Sequence, residues 1–189
     1  MEELERRAFV ECRVEQDGKR LRGYAIVFNV LSQDLGGFRE QIAPEAVDRT
    51  LKDAADIRAL VDHDTGRVIG RTRAGTLELR KDSKGLRVLI EPDGEISYAK
   101  DIMRAVARGD ITGMSFAFRA LDDEWNYEGK EPIRTVRDMR MSEVSVVSFP
   151  AYTQTDVGVA QRSLAAFQEA RRSSRVEWKR KVLRTALAR

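Results

Sequence analysis

The sequence has one cysteine and one histidine, and each scarcity excludes a class of site. Cys12 has no second thiol with which to form a disulfide inside the chain, which fits a reducing cytosol. Structural zinc sites usually take four Cys or His ligands. With one of each, the chain is not expected to hold structural zinc, and nothing in it indicates another metal or a cofactor.

Long apolar runs are also missing, and none approaches the roughly 18 residues of a membrane-spanning helix. The N-terminal segment MEELERRAFV contains acidic side chains and no apolar core, so it does not resemble a secretory signal. The chain of 189 residues is nevertheless 42% hydrophobic, which is enough for a globular domain with a hydrophobic core.

Acidic and basic residues are unevenly distributed. Residues 160–189 contain nine Arg or Lys and two Glu, a net charge of +7, whereas the whole chain carries +3, so residues 1–159 carry −4. This body has no basic stripe along its sequence, which argues against specific nucleic-acid binding as its task. We expect one domain over 1–159 and a basic amphipathic helical tail over 160–189. The tail either packs on the domain through Leu164 and Phe167 or docks on a partner.

The body is patterned as short strands. Alternating segments on either side of DGK and of a Lys–Gly pair predict two hairpins. Two helices interrupt the strands: one begins near Pro44, and the other covers EISYAKDIMRAVAR and ends at Gly109. Further strands are predicted over GGFREQIAP, DIRALVDH, GMSFAFRA, PIRTVRDMR and SEVSVVSF. Many short antiparallel strands with few helices favour a mainly β fold that closes, or nearly closes, into a barrel.

His63 closes the apolar strand DIRALVDH and is flanked by two aspartates. Alternation places it on the same face as Ile57, Ala59 and Val61. One interpretation is a structural histidine at a strand end, bonded to a neighbouring carboxylate. The other is a general base, since imidazole takes and returns a proton near neutral pH.

Ser115 is the candidate nucleophile, because it lies inside an apolar strand in the segment ITGMSFAF. Alternation places it on the same face as Ala117, while its large apolar neighbours point to the other face. Gly113, just before it, permits close approach of another backbone or a ligand. The alternative is a strand serine whose hydroxyl is satisfied by a backbone carbonyl.

Glu143 enters the apolar segment EVSVVSF, and a buried carboxylate needs a partner. One candidate partner is an imidazolium that forms only during a reaction, as in a Ser-His-acid triad. The alternative is an ion pair with Arg137 or Arg140. Three other carboxylates compete for the place beside the histidine: Asp62, Asp64 and Asp138.

Four blocks of the sequence, in their order along the chain, resemble the prohead proteases of tailed bacteriophages. The resemblance rests on GYAIVFN with GGFREQIAPEAV, on ALVDHDTGRVIG, on GDITGMSFAF and on SEVSVVSFPAY, and it runs from about residue 8 to residue 159. It implies that the histidine of the D-H-D block and the serine of the G-M-S-F block, His63 and Ser115, are the catalytic pair. It also implies that the acidic residue of the E-V-S-V-V block, Glu143, is the third member.

The same resemblance implies a serine endopeptidase that cleaves the scaffolding segment of the major capsid protein, and itself, inside the assembling procapsid in the host cytoplasm. The implied partners are the capsid protein and further copies of the chain, with no membrane, metal or cofactor. Prohead proteases are distantly similar to herpesvirus assemblins, which implies an antiparallel barrel of about seven strands with surrounding helices. Two other classes stay open: a non-enzymatic capsid scaffold or adaptor with the same fold, and a hydrolase of small esters.

Overall fold

The computed structural model of the chain describes residues 4–10, 12–15, 18–53 and 55–149, with 161, 164–166, 168–169 and 172–173. Its strands are β1 (Glu5–Val10), β2 (Cys12–Val14), β3 (Leu21–Val27), β4 (Arg39–Ile42), β5 (Arg58–Val61), β6 (Asp64–Arg71), β7 (Leu77–Lys81), β8 (Gly85–Ile90), β9 (Gly113–Asn126) and β10 (Ile133–Val147). The helices are α1 (Asp48–Lys52) and α2 (Ser97–Arg108), with 3₁₀ turns at Pro44–Val47 and Thr72–Ala74. No helix in this described part is long and apolar enough to cross a membrane.

The first sheet has six strands and is organised around β9 and β10. Its order is β1-β9-β10-β5-β6, and β4 also pairs with β10. β9 is antiparallel to β10, whereas β4 and β5 are both parallel to it and pair with successive parts of it. The segment that connects β4 to β5 in sequence includes α1, which packs on the middle of β10. There the Thr50 hydroxyl donates to the Met139 carbonyl and accepts from the Met141 amide. This connection places β5 beside the end of β10 that contains Glu143.

The second sheet has four antiparallel strands in the order β2-β3-β8-β7. Both predicted hairpins are confirmed, as β2–β3 and β7–β8. The predicted antiparallel barrel of about seven strands is wrong for the described residues, because they form two sheets that do not close, and the first sheet is mixed. Alternation along a strand shows which side chains share a face but not which strands pair. The hydrophobic pattern of the sequence therefore could not predict that β4 and β5 both pair with β10 in parallel.

One hydrophobic core lies between the two sheets and α2. Ile26 and Val88 of the second sheet, Phe116 and Phe118 of the first, and Ile102 of α2 all belong to it. Each large apolar side chain buried there stabilises the fold by about 1.5–3 kcal/mol. Val144 and Val146 of β10 belong to the same core. Since neighbouring residues of a strand face opposite ways, the residues between these core positions in β9 and β10 lie on the outer face of the first sheet.

The predicted helices are confirmed, and α2 ends at Gly109, whose φ of 83° is left-handed. The segments PIRTVRDMR and SEVSVVSF are not two strands but one, β10, which stays paired with β9 through register shifts. Most of residues 160–189, including Phe167, lie outside the described residues, so the helical tail and its boundary stay predictions. Leu164, which is described, packs against Leu35 and Phe38.

Two buried arginines link β1 to β4 and β10, three strands of the first sheet that do not all pair with one another. Arg7 contacts Glu5 and Glu40 at 2.7 Å each, and Arg134 contacts the same carboxylates at 2.8 and 2.9 Å. All four residues are at most 3% exposed. Burial acts to raise the pKa of Glu5, but the guanidinium groups of Arg134 and Arg7 outweigh it and hold that pKa below its ordinary value. The stability contributed by Glu5 is therefore present above the unfolded-state pKa and is lost as the pH falls through the lower folded-state pKa.

Glu40→Gln is expected to destabilise the fold by about 3–5 kcal/mol, because it leaves two buried guanidinium groups short of negative charge. The matched control is Glu131→Gln, which removes an exposed ion pair with Arg39 and is expected to cost at most about 1 kcal/mol. Urea titration of both variants gives the free energies of unfolding. Equal small losses would show that the buried cluster contributes no more than a surface pair.

Candidate active site

His63 lies in a two-residue turn between β5 and β6, not at the end of a strand. Val61 pairs directly with Asp64, and the two residues between them, Asp62 and His63, have φ values of 50° and 61°. Positive φ at both central residues is what a type I′ hairpin turn requires, and Asp and His tolerate it better than most residues. The predicted strand position of His63 is therefore wrong: the chain reverses after Val61, and alternation no longer applies to the two turn residues.

The turn is fixed to the far end of β10 through Asp62. One Asp62 carboxylate oxygen accepts the Ser148 amide at 2.7 Å, and the other accepts the Ser148 hydroxyl at 2.9 Å. The Asp62 amide in turn donates to the Val146 carbonyl at 2.9 Å. These bonds hold a backbone conformation that costs about 1–2 kcal/mol per residue for most side chains. The hydrogen bonds of Asp62 thus fix the backbone of the turn that carries His63, and with it the position of the imidazole.

The imidazole of His63 contacts the carboxylate of Glu143. Nδ1 and Oε1 are 2.6 Å apart, and the side chains are 19% and 11% exposed. The other carboxylate oxygen accepts the hydroxyl of Ser145 at 2.6 Å. Glu143 therefore has both oxygens occupied, one by the histidine and one by a fully buried serine. The arrangement can orient an imidazole and stabilise it when it is protonated.

Ser115 lies in β9 directly opposite Ser145 of β10. Residues paired directly across two strands share a face, and so do residues two apart in one strand, so Ser115 lies on the same outer face as Glu143. Ser115 is 3% exposed, and its hydroxyl donates to the Arg7 carbonyl of β1 at 2.7 Å. The structure thus brings His63 and Glu143 into contact and places Ser115 one strand away, where its hydroxyl donates a hydrogen bond to a backbone carbonyl.

The sequence profile of one protein family, described as caudovirus prohead serine protease, matches residues 7–170. The chain belongs to the caudovirus prohead serine protease family. A search of curated proteins found no match to this prohead protease. Among solved structures, it is similar to the bacteriophage T4 capsid assembly protease gp21, with a TM-score of 0.48 and 8% sequence identity over 76% of this chain and 98% of that chain.

The competing carboxylates of this prohead protease have partners other than the histidine. Asp138 binds the guanidinium of Arg49 with both oxygens, and this hydrogen bonding lowers the pKa of Asp138. Asp64 accepts the Gly66 amide at 2.8 Å. Arg137, a predicted alternative partner of Glu143, instead pairs with two carboxylates of its own, those of Glu45 and Glu124.

Three side-chain roles in this prohead protease were missed by sequence reasoning. Ser145 supports Glu143, and the spacing of two residues within a strand was the signal that could have found it. Asp62 and Ser148 anchor the turn, and no local pattern connects them because they are 86 positions apart. Their contact depends on the parallel pairing of β5 with β10, which is a property of the whole fold.

Proposed function

We propose that this chain is a serine endopeptidase that cleaves the scaffolding segment of the major capsid protein, and itself, during procapsid maturation in the host. Membership of the prohead serine protease family supports capsid maturation in general. The observation that carries the catalytic assignment is the 2.6 Å contact between His63 Nδ1 and Glu143 Oε1. A base held by a carboxylate is what activation of a serine hydroxyl requires.

In the proposed reaction, His63 donates its Nδ1 proton to the hydrogen bond with Glu143, and Nε2 is left as the proton acceptor. Ser115 Oγ attacks the scissile carbonyl, and the Ser115 proton passes to Nε2. The imidazolium then gives that proton to the departing amine. A water molecule repeats the sequence on the acyl-enzyme and releases the second product. Glu143 stabilises the imidazolium in both halves of the reaction.

Ser115 must leave its present hydrogen bond before it can react. A hydroxyl has one proton to donate, and in the structure that proton goes to the Arg7 carbonyl. Rotation about χ1 moves the hydroxyl between staggered positions without moving the backbone. Catalytic hydrogen bonds often form only once substrate is bound. We therefore assign the bond to Arg7 to a resting state that substrate binding replaces.

Glu143→Gln is expected to slow cleavage by about 10²–10⁴-fold, because the amide no longer stabilises the imidazolium or fixes the tautomer. Asp138→Asn is the matched control and is expected to leave the rate nearly unchanged, since its carboxylate pairs with Arg49. Rates are measured from the disappearance of the capsid protein on gels. A severe loss in Asp138→Asn with a mild loss in Glu143→Gln would make Asp138 the third catalytic residue.

One observation favours a non-enzymatic scaffold: the bond from Ser115 to Arg7 is that of an ordinary strand serine. Incubation of the purified protein with the procapsid protein encoded at the same locus separates the candidates. A protease produces defined fragments that mass spectrometry maps to the N-terminal scaffolding segment. A scaffold leaves the capsid protein intact, and a small-ester hydrolase leaves it intact while cleaving p-nitrophenyl esters.

A further inference from the structure

Four exposed arginines stand in two like-charged pairs on the second sheet. Arg13 of β2 is directly opposite Arg22 of β3, and Arg80 of β7 is directly opposite Arg87 of β8. All four are exposed. Like charges directly opposite one another on a sheet are destabilising. Each pair has one carboxylate beside it, Glu15 at 3.9 Å from Arg22 and Glu78 in contact with Arg80. These carboxylates offset part of the repulsion, and the remainder is a cost that the fold carries on this face.

Three of these arginines, Arg13, Arg22 and Arg87, line a groove of about 370 Å³ together with Gly23, Tyr24 and Lys84. Four of the lining side chains are cationic, and among the described residues none that lines it is acidic. The Lys84 ammonium lies 4.5 Å from the centre of the Tyr24 ring. We call these six residues the basic groove.

Three carboxylates that contact residues in or beside the basic groove are already engaged. Asp82 accepts the Tyr24 hydroxyl at 2.7 Å and the amides of the turn between β7 and β8, at Lys84 and Gly85. Glu15 contacts Arg20 at 3.0 Å and is 3.9 Å from Arg22. Glu78 contacts Arg80. None of these three carboxylates lines the groove, so a net positive potential faces solvent there.

The basic groove and the candidate active site lie on different sheets and face away from each other. In β8, Leu86 and Val88 point into the shared core, so Arg87 between them points outward. In β10, Val144 and Val146 point into the same core, and the outer face of that sheet carries Glu143. A ligand in the groove therefore leaves the active site open.

We propose that the basic groove binds an acidic segment of polypeptide and so anchors the protein to a partner. Carboxylates in the groove pair with Arg13, Arg22 and Arg87 and so reduce the repulsion within both arginine pairs. The net charge of −4 on residues 1–159 opposes a long polyanion, and two glutamates, Glu15 and Glu78, line the adjoining groove. A continuous row of phosphates crossing this sheet would meet those glutamates, whereas a short run of carboxylates needs only the basic groove. An acidic peptide thus fits better than a nucleic acid.

The test is fluorescence anisotropy with a fluorescein-labelled oligoglutamate peptide and the full chain carrying Ser115→Ala, so that no cleavage interferes. Binding in this protein does not depend on the proposed catalysis, and a failure here leaves the proposed function untouched. Arg22→Glu with Arg87→Glu is expected to weaken binding by about tenfold or more for each charge reversed. The same substitutions turn both like-charged pairs into opposite-charged pairs, so the melting temperature is expected to rise, which excludes unfolding as the cause.

The matched control is Arg119→Glu with Arg140→Glu, another exposed arginine pair directly opposed across two strands, on the first sheet. The control is expected to bind nearly as well as the parent, and the basic segment 160–189 is common to all the proteins compared. No binding by the parent, equal affinity of parent and groove variant, or an equal loss in the control would each overturn the proposal. Groove-dependent binding of a single-stranded oligodeoxythymidylate of equal charge, tighter than that of the peptide, would overturn it in favour of nucleic acid.

Discussion

Ser115→Ala is expected to abolish cleavage of the capsid protein and of the chain itself, with a rate loss of about 10⁴–10⁶-fold. The substitution removes the proposed nucleophile and changes little else, because the side chain is small and 3% exposed. The hydrogen bond from its hydroxyl to the Arg7 carbonyl contributes about 0.5–1.5 kcal/mol to stability. The variant should therefore fold, and gel assays of capsid-protein cleavage report the chemistry alone.

Ser145→Ala is the matched control for Ser115→Ala. Ser145 is buried on the same face and lies directly opposite Ser115, but its proposed role is to support Glu143 rather than to attack substrate. Its loss leaves Glu143 in contact with His63, so we expect a decrease of about tenfold, the effect of one supporting hydrogen bond. If Ser145→Ala were inactive and Ser115→Ala active, the nucleophile would be Ser145.

His63→Asn is expected to be as severe as Ser115→Ala, because the chain has one histidine and no other imidazole can take its place. Asparagine is preferred to glutamine because it tolerates the left-handed conformation, and φ at this position is 61°. The double variant Ser115→Ala/His63→Asn is expected to be no slower than either single variant, since the two residues act as a unit.

Asp64→Asn is the control for the His63 turn. Asp64 is exposed and directly follows His63 in the sequence. Its carboxylate accepts the Gly66 amide at 2.8 Å, whereas the imidazole of His63 contacts Glu143. The Asp64→Asn variant is expected to retain most of the activity.

Losses that multiply in the double variant Ser115→Ala/His63→Asn would show that Ser115 and His63 serve separate steps and do not form one catalytic unit.

Much of the secondary structure could be predicted from the sequence, because local rules decide it. The hairpins β2–β3 and β7–β8 and the end of α2 at Gly109 all follow from turn residues and periodicity. Pairing between strands that do not form a hairpin could not be predicted in this way. The parallel return of β4 and β5 to β10 is stabilised by contacts between distant segments, and this pairing replaces the expected barrel with two sheets.

The candidate site shows the same division. The alternation that separates Ser115 from its neighbours in β9 could be predicted, since Met114, Phe116 and Phe118 lie in the core cluster and Ser115 pairs with Ser145 on the other face. The turn at His63 could not be predicted from the sequence, because a type I′ turn without glycine, such as Asp62–His63, has a weak sequence signal. The basic groove was hidden as well: Arg13 and Arg22 lie in one predicted hairpin, but Arg87 comes beside them only through the pairing of β3 with β8.

The central claim is that Ser115 is a nucleophile activated by His63, and reaction with a fluorophosphonate tests it most directly. Ser115 Oγ attacks phosphorus, fluoride leaves, and His63 takes the hydroxyl proton, so the stable product records the first chemical step without the need for a known substrate. Peptide mass spectrometry of the labelled protein is expected to place the phosphonyl group on Ser115 and to find it absent from His63→Asn. Labelling at Ser145, or equal labelling of Ser115 in the presence and absence of His63, would contradict the claim.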